Sequence, residues 1–94
     1  MRKWWNRLYV DEYSEEIIKK LSKLKKKDFK HYEIIRKKMD WILANPDSRF
    51  KDLHYNMKGI SRIHIEHFVL TFRIDNINKI VIFEDYDHHD NIYK

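Results

Sequence analysis

With 94 residues, 43% of them hydrophobic and 14 aromatic (3 Trp, 6 Tyr, 5 Phe), the chain carries enough apolar mass for one domain with one core. The absence of cysteine excludes disulfides and thiolate metal centres and fits a reducing compartment. No apolar run is long enough to span a bilayer, and Trp4-Trp5 gives way at once to Asn6-Arg7 instead of a signal core. The expectation is a soluble cytoplasmic protein that does not engage membranes.

The formal charge of +5 is unevenly divided. Residues 1–60 hold 16 Lys/Arg against 9 Asp/Glu, whereas residues 61–94 hold 4 against 6. A basic helical half attracts polyanions through long-range fields and counterion release, although Lys-rich helices can also be simply well solvated.

In chain order, Arg7-Leu8-Tyr9-Val10 reads as a first strand, with an extension back to Trp4 left open. Ser14 is a good N-cap, followed by Glu15 and Glu16 where the helix dipole favours acids. Ile17, Ile18, Leu21 and Leu24 mark the apolar face of a short helix ending at Lys25-Lys26-Lys27. Asp28 can cap a second helix carrying Tyr32, Ile35, Met39, Ile42 and Leu43, which Asn45-Pro46 stops. The two form a helical hairpin. Residues 47–60 read as a loop anchored by Phe50 and Leu53, with the only glycine, Gly59, before the next strand.

Three alternating segments follow: Ser61–Glu66, Phe68–Ile74 and Lys79–Tyr86, the last two joined by Asp75-Asn76-Ile77-Asn78. Alternation places Arg62, His64 and Glu66 on one side and Ile63 and Ile65 on the other. Phe68, Leu70, Phe72 and Ile74 form the next strand's apolar side; Val69, Thr71 and Arg73 form its polar side. The fold class is α+β in the order β-α-α-β-β-β: a strand, a helical hairpin, then a three-stranded antiparallel meander with an open polar face. His67 falls in a turn, Glu66 reads as a solvated carboxylate, and His31 and His54 as surface or loop packing.

Gly59-Ile60-Ser61-Arg62-Ile63-His64-Ile65, His67-Phe68-Val69-Leu70-Thr71-Phe72 and His88-His89-Asp90-Asn91-Ile92-Tyr93, in that order after a hairpin ending in Asn-Pro, resemble the RelE/ParE toxin superfamily. The RelE/YoeB branch is the most similar, and Lys51-Asp52-Leu53 adds to the match. The resemblance implies a RelE-like fold and a type II toxin that cuts mRNA in the ribosomal A site and is silenced by a wrapping, RelB-like antitoxin. It implies metal-independent and cofactor-free chemistry: activation of the ribose 2′-hydroxyl, in-line attack on phosphate, stabilisation of the phosphorane and protonation of the leaving oxygen.

Carried onto this chain, the implied catalytic residues are Arg62, His64, His88, His89 and Tyr93. Lys19, Lys23, Lys26, Lys27, Lys30, Lys37, Lys51 and Arg73 would meet RNA or the ribosome by phosphate contacts. Val69 and His89 replace arginines of relatives, and Glu84, Asp85, Asp87 and Asp90 oppose phosphate. Histidine-based catalysis and a catalytically weakened binding toxin both follow. So does a ParE-like toxin directed at a protein such as DNA gyrase. A metal-assisted nuclease using His88-His89 and the neighbouring aspartates is a further rival, although adjacent residues of an extended segment point opposite ways.

Overall fold

A computed structural model describes residues 8–48, 51–52 and 59–88. Trp4, Trp5, Phe50, Leu53, His54, His89, Asp90 and Tyr93 lie outside the described residues, as does the side chain of Lys51. The elements are β1 (Val10–Tyr13), α1 (Glu15–Lys27), α2 (Phe29–Ala44), β2 (Lys51–Asp52), β3 (Ser61–Ile65), β4 (Phe68–Asp75) and β5 (Ile80–His88).

Local chemistry fixes the hairpin. Ser14 Oγ accepts the Ile17 N–H at 3.1 Å and Asp28 Oδ1 accepts the His31 N–H at 3.1 Å, so each helix starts at a side-chain cap. The second ends at Asn45, whose amide bonds the Ile42 carbonyl and whose side chain reaches Trp41.

The sheet order is β1-β5-β4-β3-β2. The β3–β4–β5 meander is antiparallel, as expected, and β1 joins β5 in parallel through Val10↔Ile80 to Tyr13↔Phe83. The first strand therefore lies three residues beyond its predicted position. Leu8 and Tyr9 are instead held by their amides on the Leu43 carbonyl, which ties the entering chain to the end of α2. Inside the expected 47–60 loop, Lys51–Asp52 adds a two-residue strand against Arg62 and Ser61. Gly59 has φ of 87°, a left-handed turn that a side chain would disfavour.

The hairpin packs on one face of the sheet. Ile17, Leu21, Ile35, Met39, Ile42 and Leu43 from the helices meet Ile65, Leu70, Phe72, Val81, Phe83 and Tyr86 from the strands. Truncating one of the fully buried aliphatics would cost about 2–5 kcal/mol. A register shift between Thr71 and Phe72 inserts Glu84 as an extra residue in β5 and re-aims everything after it.

Candidate active face and its surroundings

Arg62 and His64 stand on the sheet face away from the helices. Their cross-strand partners are Thr71 and Val69, so β3 and β4 together define this surface. Arg62 is half-buried and His64 exposed. The centre of the face is closed, contrary to the open floor that alternation predicts. Val69 is 0% and Thr71 4% exposed, because β4 is the middle strand and its small side chains lie between longer neighbours. Thr71 Oγ1 donates to the Asp85 carbonyl at 3.3 Å, which satisfies its buried hydroxyl.

The acidic side chains beside this face are matched by cations. Beyond Tyr13, the last residue of β1, the edge of β5 meets α1, where Lys20 Nζ lies 2.7 Å from Asp85 and 3.0 Å from Asp87. Burial lowers the affinity of Lys20 for its proton, but hydrogen bonds and charge from both aspartates outweigh it and raise the pKa. On the next strand Arg73 Nε sits 2.9 Å from Glu84, the bulge residue. Three carboxylates expected to oppose phosphate are thus paired, and Arg73, expected to contact RNA, is engaged in one of those pairs.

His88 does not join Arg62 and His64. Its register partner is Phe68, which packs against the helix-side core, so His88 belongs to the opposite face. There its ring meets Phe68 edge-on at 5.5 Å and stacks with His67 at 6.4 Å between centroids. The catalytic set implied by the resemblance is therefore divided among the described residues: Arg62 and His64 on one face, His88 on the other. Among those residues no group of three or more His, Cys, Asp or Glu is arranged to hold a metal.

The helix side holds a chain of groups that sequence reading missed. His31 on α2 hydrogen-bonds the Tyr86 hydroxyl through Nε2, and its Nδ1 lies 3.3 Å from Glu66 Oε1. Glu66, expected to be a solvated carboxylate, is indeed exposed, but it is also directed at His31, expected to be mere packing. Ile65 pairs directly with Phe68, leaving Glu66-His67 as a two-residue hairpin loop with φ of 58° at Glu66. That first loop position favours glycine, so a glutamate there carries backbone strain of about 1 kcal/mol or more. Burial first, then the charges of Glu66 and Asp28, push the Tyr86 phenol far above its ordinary range, so it remains a donor.

The lysines of the helical half do not form one patch. Lys19, Lys23, Lys26, Lys27, Lys30 and Lys37 are all exposed, spread around both helices. Lys20, Lys23 and Lys27 share one side of α1 and line an open groove of about 280 Å³ with Leu24, Phe68, Tyr86 and Asp87. Lys51 contributes backbone pairing to Arg62. No helix among the described residues is long and apolar enough to cross a membrane.

No family model matches the chain. It is 46% identical over 88 residues to a Methanocaldococcus jannaschii protein assigned as toxin RelE4, covering 93% of each chain. A Methanosarcina mazei protein without a described role is 47% identical over 87 residues, covering 92% of this chain and all of that one. Among solved structures, the Mycobacterium tuberculosis RelBE2 toxin–antitoxin complex aligns with a TM-score of 0.74 at 18% identity, over 88% of this chain and 93% of that one. A free mutant of Escherichia coli RelE gives 0.73 at 18% identity, over 92% and 90%. The E. coli DinJ–YafQ complex gives 0.72 at 20% identity, over 93% and 99%. These three share the strand, helical hairpin and mixed sheet described above, and with nearly half its residues in common with a full-length RelE relative, the chain belongs to the RelE toxin family.

Proposed function

We propose that this protein is the toxin of a type II toxin–antitoxin pair and cuts ribosome-bound mRNA with the Arg62–His64 face. The observation that carries the reading is the pairing of β3 with β4. Alternation along β3 puts Arg62 and His64 on one face, and their β4 partners Thr71 and Val69 floor that face with small side chains, while Lys20 and Arg73 engage the nearby carboxylates. In the reaction a base takes the 2′-hydroxyl proton, the 2′-oxygen bonds to phosphorus, and the P–O5′ bond breaks. An acid then protonates the departing 5′-oxygen, leaving a 2′,3′-cyclic phosphate and a 5′-hydroxyl. Arg62 would stabilise the phosphorane oxygens, and His64 would carry one of the two proton transfers. His89 and Tyr93, at the terminal positions of the family motif, are the candidates for the other. His88, on the opposite face, takes no part in the reaction.

As one domain acting in the cytoplasm, the toxin would be held in check by a RelB-like antitoxin, as in the RelBE2 and DinJ–YafQ complexes of its structural relatives. A second reading is favoured by buried Val69, which stands where relatives carry a phosphate-contacting arginine. Without that donor the chain could act as a catalytically weakened toxin that inhibits by binding. Primer extension on mRNA bound to purified ribosomes separates the two. New ends in the A-site codon that disappear with Arg62→Ala support cleavage, and their absence with wild type supports binding alone.

A further inference from the structure

We infer that the groove between α1 and the β4–β5 end of the sheet is a second contact site for single-stranded RNA, separate from the Arg62–His64 face and extending the ribonuclease reading on which it rests. Its floor is aromatic. Phe68 and Tyr86 stack at 5.0 Å between centroids with planes 10° apart, and Phe68 is the more exposed of the two. The platform is pre-set from behind, since Tyr86 is held by His31 and His31 by Glu66. Phe68, the accessible ring, is braced against the Tyr86 and His31 rings and so loses little freedom when a base stacks on it.

The rim is cationic at one-turn spacing. Lys20, Lys23 and Lys27 lie at i, i+3 and i+7 on α1, so their side chains follow one another along the groove. Lys20 is committed to Asp85 and Asp87. Lys23 and Lys27 are exposed, and they supply the charge complementarity for backbone phosphates beside a base on Phe68. The groove of about 280 Å³ is at the small end of ligand clefts, enough for one base on Phe68 with its phosphates left at the lysine rim. The ligand class is therefore a phosphodiester strand with an unpaired base; an acidic protein segment would use the lysines but gain nothing from a flat ring.

The test is fluorescence anisotropy of a labelled uridine octamer bound by the full chain, with a 4-thiouridine version for crosslinking. Lys23→Ala/Lys27→Ala is expected to weaken binding by about tenfold and to reduce the slope of log K against log salt by about 1.4. Charge-matched Lys25→Ala/Lys38→Ala should weaken it much less. Phe68→Leu, which keeps apolar volume but removes the ring face, should cost about fivefold or more. Crosslinks should map to Phe68 or Tyr86. The inference is overturned if the two lysine pairs behave alike, if Phe68→Leu binds as wild type, or if only an acidic polypeptide occupies the groove. Octamer binding that survives in Arg62→Ala/His64→Ala supports the groove even where ribosomal cleavage is absent, so the two proposals fail separately.

Discussion

His31 on α2 and Tyr86 on β5, 55 positions apart, are joined by a hydrogen bond that clamps the start of the second helix to the end of the sheet. The Glu66 carboxylate at Nδ1 favours the tautomer with Nδ1–H, which leaves Nε2 to accept from the Tyr86 phenol. Tyr86→Phe is expected to cost about 1 kcal/mol near neutral pH by leaving a half-buried imidazole nitrogen short of a partner. Urea denaturation of the two proteins measures it.

The same phenol sets an alkaline limit. Its pKa is raised in the fold above the ordinary 10.0, so its contribution is complete below that value and is lost as pH climbs beyond it. Tyr13 is shifted the same way, by burial first and then by the Asp11 carboxylate it bonds. Wild-type stability should therefore begin to fall as pH rises past about 10 and keep falling above it, and Tyr86→Phe should show a shallower fall. Equal slopes for both proteins would contradict the assignment.

Lys20 offsets acids beside the proposed active face. Lys20→Ala would remove the ammonium that Asp85 and Asp87 share at the sheet edge, lowering stability by about 1 kcal/mol and weakening RNA binding more steeply at low salt. Removing the excess charge with Lys20→Ala/Asp87→Asn should recover much of the binding. If the single and double variants bind RNA equally, the carboxylates do not bear on the site.

Val69 cannot be returned to the arginine of relatives by simple replacement. The position is fully buried in the middle strand, so Val69→Arg places a charge where water does not reach and should destabilise the fold by about 3 kcal/mol or more. A thermal melt unchanged by this substitution would show that the face opens in solution.

Much of the scaffold was legible because it rests on local chemistry. Ser14, Asp28 and Asn45-Pro46 bound the helices where short-range capping rules place them, and the alternation from Arg62 to Ile74 gives the correct core side. The first strand was misplaced because a short apolar run does not reveal its register; Val10–Tyr13 is chosen by β5, some 70 residues on. The site was less legible for similar reasons. The Glu84 bulge has no glycine or proline to announce it, yet it sets the positions of Asp85, Tyr86, Asp87 and His88. The role of His31 does not show in the sequence because its partners Glu66 and Tyr86 are distant in it. The positive φ of Glu66, like that of Lys79, does not show in residue identity.

Arg62 and His64 are proposed to cut RNA without metal. Primer extension on mRNA programmed into purified ribosomes, with chelator present, tests it most directly. New A-site ends are expected for wild type, with a loss of about 10²-fold or more for Arg62→Ala and a comparable loss for His64→Ala that shifts the pH–rate profile. Cleavage that stops on chelation, or that proceeds unchanged in both variants, would contradict it.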